Sequence, residues 1–223
     1  MQGIKDAQSS LLTAELSLRL AKGGSVGIDC VHFMRPEFVG FTGEFTLNFS
    51  EFFIPRGTYE LNDAEVIDVQ KAWKSLNGEM VVGQLQTAIE RLSLAETRTD
   101  FKDKIVDACI GLEALLLRTD VQGELSYQFA INYSVLDPKR ENRLARYDVA
   151  RDIYKLRSKV AHGAASMERT DKQGRDIPDL SCVVLREVIH YFLNTQWPPP
   201  ADFWLKKVLV ETPADSIAPV SRG

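Results

Sequence analysis

The sequence predicts a mainly α protein, a helical bundle preceded by a small mixed α/β N-terminal segment. Three observations predict it. From Asn62 almost to the end, apolar residues recur at helical spacing, and each run closes on a Gly, Asn or Pro signal. Between residues 25 and 55 the apolar residues lean instead toward alternation, with Gly and Pro punctuation. A composition of 44% hydrophobic and 26% charged residues over 223 positions allows one sizeable core. Residues 1–60 are therefore expected to form the mixed segment, 61–210 the bundle, and 211–223 a loose tail without apolar pattern.

The elements follow in order. Leu11, Leu12, Leu16 and Leu20 place an amphipathic helix over 8–22, stopped by Gly23-Gly24. Val26, Ile28, Val31 and Phe33, then Phe45, Leu47, Phe49 and Phe53, mark two short strands or extended segments. Asn62 caps a helix of about 15 residues that closes near Asn77-Gly78, and a second helix runs over 82–97. Asp100 caps the clearest helix, 101–117, whose buried stripe is Phe101, Ile105, Cys109, Leu112 and Leu116. Gly123 and Glu124 open a helix that ends before Asp137-Pro138. Pro138, at a first helical position, starts a basic segment that reads as one long helix or two. A helix over 178–195 is broken by Trp197-Pro-Pro-Pro200, and a short one follows around Phe203–Val210.

The net charge of −4 exerts no global pull on nucleic acid, but its distribution is uneven. Residues 138–163 hold eight lysines or arginines against three acidic residues, a local +5 that leaves −9 elsewhere. Cys30, Cys109 and Cys182 lie far apart with no CxxC or CxxH spacing, so they form neither a disulfide framework nor a zinc site. With no signal-peptide pattern and no run of about 18 apolar residues, the expectation is a cytoplasmic protein off the membrane. The histidines lack ligand spacing, and no phosphate-cradling glycine motif is present. No metal and no cofactor is expected.

The most informative segment is RSKVAHG at 157–163. Arginine keeps its charge and presents a planar fork to phosphate oxygens, while histidine takes and returns a proton near neutrality. Together they are a minimum kit for metal-free attack on a phosphodiester. Arg157 would clamp phosphate, His162 would serve as acid and base, and Ser158 would bond a phosphate oxygen or orient the histidine. Tyr154, one turn before Arg157, would support the arginine's stem. Five residues at about 100° each place Arg157 and His162 about 140° apart on a regular helix. They converge only if the helix loosens at His162, which Gly163 encourages, or if a second protomer folds over the segment.

The stretches DKIVDACIGLEALLL at 103–117 and DIYKLRSKVAHG at 152–163 resemble the HEPN superfamily, in particular its Apea-like branch. The resemblance runs from about Leu85 to Gly163. Its signature is an arginine, a polar residue, and a histidine four to six residues after the arginine; Arg157, Ser158 and His162 match it. The resemblance implies a bundle of four to five helices and a metal-independent endoribonuclease that cuts RNA by 2′-hydroxyl attack at a cleft between two protomers. It further implies a homodimer, a toxin or anti-phage defence setting, and a possible antitoxin or partner domain. The other reading is a non-catalytic HEPN-like module for dimerisation, or for protein or nucleotide binding.

Around this centre, Glu113 falls on a helical stripe with Val106, Ile110 and Leu117 and needs a partner. It pairs with Arg157 or another arginine, either as support for the site or as a structural ion pair. Asp107 is similar but expected to be more exposed. Arg151, Lys155 and Lys159 are the candidate RNA contacts within a basic run that also holds Lys139, Arg140, Arg143 and Arg146. The plainer view of that run is a solvated face, partly paired with Glu141, Asp148 and Asp152. His190, four after Arg186, reads as a partly buried structural residue, and Trp73, Trp197 and Trp204 read as packing residues.

Overall fold

The computed structural model describes residues 2–24, 26, 30–33, 45–48, 59–78, 81–117, 123–164 and 168–209, with 2–8 and the two strand segments described by main chain alone. Its elements run α1 (Gln2–Ala21), β1 (Cys30–Phe33), β2 (Phe45–Asn48), α2 (Asp63–Leu76), α3 (Gln84–Thr97), α4 (Phe101–Leu116), α5 (Leu125–Val135), α6 (Arg140–Ala161), α7 (Ile177–Asn194) and α8 (Phe203–Leu209). β1 and β2 pair antiparallel, Cys30 opposite Asn48 and Phe33 opposite Phe45. The rest of the expected mixed segment, including Phe49 and Phe53, and the tail 211–223 lie outside the described residues.

Caps set the helix boundaries. Asn62 and Glu65 form a reciprocal capping box at the head of α2: the Asn62 side chain accepts from the Glu65 amide at 3.0 Å, and the Glu65 carboxylate accepts from the Asn62 amide at 2.8 Å. Asp100 accepts from the Lys102 amide to start α4, and Asp176 accepts from the Asp179 amide to start α7, with Pro178 in the first turn. Pro138 does not begin α6. Lys139 is extended and stands as the cap, because the Asp137 carboxylate accepts from the Lys139 amide at 2.8 Å and from Asn142 Nδ2 at 3.1 Å. From Arg140 the basic segment is one unbroken helix of 22 residues.

α4 is the centre of the bundle. It packs against α3, α5, α6 and α7, and buries Ile105, Ala108, Cys109, Leu112, Leu115 and Leu116. Gly111 lets α7 approach closely: a Cβ there would stand 2.8 Å from Leu185 Cδ2. Asp107, expected to be more exposed, is instead buried on the α3 side and paired with Arg91 at 2.7 Å and Arg98 at 2.8 Å. Two guanidiniums compensate a carboxylate that the helix stripe carries into the core.

α1 is docked by its last turn. The Leu18, Arg19 and Leu20 carbonyls accept from the Tyr59 hydroxyl, from Arg186 Nε (2.9 Å) and from His190 Nε2 (2.8 Å) respectively. Helix C-termini leave such carbonyls unpaired, and here α7 supplies two of the donors. Arg186 also pairs with Glu96, and the buried Arg19 pairs with Glu15 and bonds Ser93. His190 is thus the structural residue expected. Trp197 and Trp204 pack edge-on around the buried Phe192, whereas Trp73 is exposed. No helix among the described residues is long and apolar enough to cross a membrane.

Candidate functional site

α6 and its cap residue carry all but one of the candidate residues, so its C-terminal half decides the site. The helix remains α-helical through Ala161, and His162 is its cap residue. Gly163, at φ 65°, takes the left-handed conformation that closes the end. The Gly163 amide donates to the Val160 carbonyl (3.1 Å) and the Ala164 amide to the Lys159 carbonyl (3.0 Å), a Schellman closure. The His162 amide donates to the Ser158 carbonyl at 3.1 Å. The helix does not loosen before its end. Arg157 and His162 are left splayed, with no hydrogen bond between their side chains.

Arg157 turns toward α4. Its Nη2 stands 3.5 Å from Glu113 Oε1, and its guanidinium carbon is 5.9 Å from the centre of the Tyr154 ring. The Arg157 side chain keeps 32% of its exposure, while Glu113 keeps 23%. Burial raises the Glu113 carboxyl above the usual carboxylate range, and the Arg157 charge offsets part of that rise. Tyr154 rests against Phe129 at 5.3 Å, and burial, then the neighbouring Glu113 charge, raises its hydroxyl. One turn before Glu113, the thiol of Cys109 is fully buried and pushed up by that burial, so it is not poised as a nucleophile. The site is therefore an arginine braced by a carboxylate and a tyrosine, with an exposed imidazole at the helix end.

Beside this unit lies a cleft of about 540 Å³. Tyr154, Ser158, Arg151, Lys155 and Lys159 line it, together with Asp148, Asp152, Ser126 of α5 and Lys172 from the α6–α7 connection. It brings together five of the expected site residues and leaves out Arg157, His162 and Glu113. Tyr154 thus touches both groups, since it also lies against Arg157. Among the described residues, Arg151, Lys155, Lys159 and Lys172 make no ion pair. None of the four pairs with Asp148 or Asp152, and Arg151 lies 5.8 Å over the Tyr147 ring. The other half of the basic run behaves differently. Arg146 is bound to Glu187 and stacked at 4.0 Å on Tyr133, and Arg143 donates to the Asp137 carbonyl.

Lys172 escaped the sequence reading because the basic run was followed only along α6. Its signal was the string Asp171-Lys-Gln-Gly174, a turn with Asp at its first position and Gly at its last. No group of three or more His, Cys, Asp or Glu side chains among the described residues is placed to share a metal ion. Compared with known proteins, the chain matches no family model, no curated protein and no solved structure.

Proposed function

We propose that the chain is a metal-independent endoribonuclease of HEPN type, acting as a homodimer in a toxin or anti-phage defence setting. The observation that carries this reading is the division of labour among the cations of α6. Arg157 is oriented by Glu113 and Tyr154, while Arg151, Lys155 and Lys159, among the described residues, make no ion pair around a cleft that contains Ser158. A cation with a fixed direction suits a reacting phosphate, and cations without a carboxylate partner suit a polyanion's backbone. The resemblance of 103–117 and 152–163 to the HEPN pattern supplies the reaction class.

In that reaction a histidine takes the proton of a ribose 2′-hydroxyl, and the oxygen attacks the adjacent phosphorus. The bond to the 5′-oxygen breaks as that oxygen receives a proton, leaving a 2′,3′-cyclic phosphate and a free 5′-hydroxyl. Arginine offsets the charge that builds on the phosphate oxygens. The splay of Arg157 and His162 within one chain makes the second protomer part of the proposal: each active centre uses residues from both copies. Such an activity needs restraint in its own cell, which an antitoxin or partner domain supplies.

The test is incubation of the protein with total cellular RNA in chelator, followed by end analysis. The expected result is cyclic-phosphate ends, lost in Arg157→Ala and His162→Ala while both variants keep the helical signal. Undiminished cutting by either variant overturns the assignment. One observation favours a second reading, a non-catalytic HEPN-like interaction module: Arg157 is already paired and stands outside the cleft. Under that reading the same variants lower the melting temperature or dissociate the dimer, and wild-type protein cuts nothing.

A further inference from the structure

The connection between α6 and α7 ends in a small hairpin over 169–177 with its own framework. The Thr170–Asp176 bridge closes it, and the Ile177 amide donates to the Arg169 carbonyl at 2.7 Å. At its tip the Gly174 amide donates to the Asp171 carbonyl and the Asp171 amide to the Arg175 carbonyl, each at 3.0 Å; Gly174 lies at φ 77°. This is a turn closed by a left-handed glycine, which only a residue without Cβ adopts freely. The Asp171 carboxylate, almost fully buried, accepts from the Gln173 and Arg175 amides and from Arg175 Nε at 2.6 Å. Burial would raise that carboxyl, but the bonds from Arg175, then Gln173, outweigh it and hold it below the usual range. At the base, Arg169 pairs with Asp176 at 2.7 Å and stacks on Phe101 at 4.6 Å.

The residue this framework presents is Lys172. It is exposed, makes no ion pair among the described residues, and lines the cleft of α6 together with Lys155 and Lys159. It also lines two adjoining depressions of about 170 and 620 Å³. Four cations from two elements therefore converge on one cleft, with Asp148 and Asp152 there but not in pairing distance of any of them. Such a cluster is relieved by an anion with several charges at backbone spacing.

We infer that Lys172, held by the Asp171 turn, is a phosphate-contacting residue that continues the track of Arg151, Lys155 and Lys159 across the cleft, so that a single strand of nucleic acid is gripped from two sides. The inference rests on the reading of this cleft as the RNA site. A lysine on a phosphate acts as a point charge, so the contact is independent of sequence. It is equally open to a DNA strand, which lacks the 2′-hydroxyl and is bound without being cut. That separates gripping from cutting.

The experiment uses full-length protein and a labelled oligothymidylate of about twenty nucleotides, longer than a typical single-strand site. Affinity is followed by anisotropy against salt. Each phosphate contact adds about 0.7 to the slope of log affinity against log salt. Lys172→Ala is expected to lower the slope by that amount, so that the affinity lost between about 50 and about 200 mM salt shrinks roughly 2.6-fold. Lys172→Arg is expected to keep the wild-type slope, as is Lys102→Ala at the exposed head of α4. An unchanged slope in Lys172→Ala overturns the inference, as does a wild type that binds no oligothymidylate at the lower salt. An unchanged slope in Lys172→Ala leaves the catalytic proposal standing, since that is judged by His162-dependent cutting of RNA. Salt-dependent gripping without any cutting sinks the catalytic proposal and leaves Lys172 in its role.

Discussion

Replacing Gly111 by alanine sets two opposed effects against each other on α4. In a helix interior the change from Gly to Ala stabilises by about 1 kcal/mol. The new Cβ, however, would lie 2.8 Å from Leu185 Cδ2, 3.1 Å from Leu185 Cδ1 and 3.3 Å from Arg91 Cβ. Ordinary carbon contacts sit at about 3.5–4.0 Å, so α7 must retreat or Leu185 must leave its rotamer. Leu185 is completely buried, between α4 and a core that includes Val184, Val188 and Ile189, so it has no free space to enter. Overpacking of this kind costs about 1–3 kcal/mol, and the mid-range leaves a net loss of about 1 kcal/mol. For a chain of this size that corresponds to a fall in Tm of roughly 2–4 °C, measured by helical circular dichroism. Leu185→Val in the same chain should recover part of the loss, because it removes the atoms in the way. A Gly111→Ala protein that melts higher than wild type would refute the close approach of α4 and α7.

Other expectations follow from the charged contacts. Asp107→Asn breaks a carboxylate shared by Arg91 and Arg98. Because both arginines keep some solvent, the loss should be about 2–3 kcal/mol in urea melts, below the full cost of opening a buried pair. An unaltered midpoint would mean that the triad does not hold α3 to α4. Glu113 binds its proton more tightly in the folded chain than in the unfolded one, so its contribution to stability falls as pH rises from the ordinary glutamate range through its raised folded value. Glu113→Gln should remove that slope from the difference between variant and wild-type stability profiles. Under the proposed function it should also depress RNA cleavage by loosening Arg157, with the helical signal retained. Parallel profiles would show that Glu113 is not desolvated.

The helices were legible because their ends carry chemistry the sequence displays. Asn62 with Glu65, Asp100 and Asp176 each supply the side-chain acceptor that starts a helix, and Gly163 supplies the stop. Pro138 misled because its fixed φ suits a first helical position, whereas Asp137 moved the start two residues on by bonding the Lys139 amide. The pairing of Glu113 with Arg157 was legible as a need, since a carboxylate on an apolar stripe requires a cation; which cation it met depended on how α4 and α6 cross. Asp107 shows the reverse: its stripe position was visible, but its burial depended on two arginines delivered from α3 and the turn after it. The cleft was only half legible. Periodicity reveals which residues share a face of α6, but not that a hairpin folds back to add Lys172.

The closure of α6 at His162 has a consequence for how work is divided at that position. Three main-chain bonds fix where the residue sits, yet among the described residues its imidazole bonds to nothing. The main chain is held at this position while the ring is exposed. Freezing a side chain of this kind costs on the order of 0.5–1 kcal/mol, a small demand compared with placing the backbone itself. Any group that bonds the His162 imidazole therefore has only the ring left to orient.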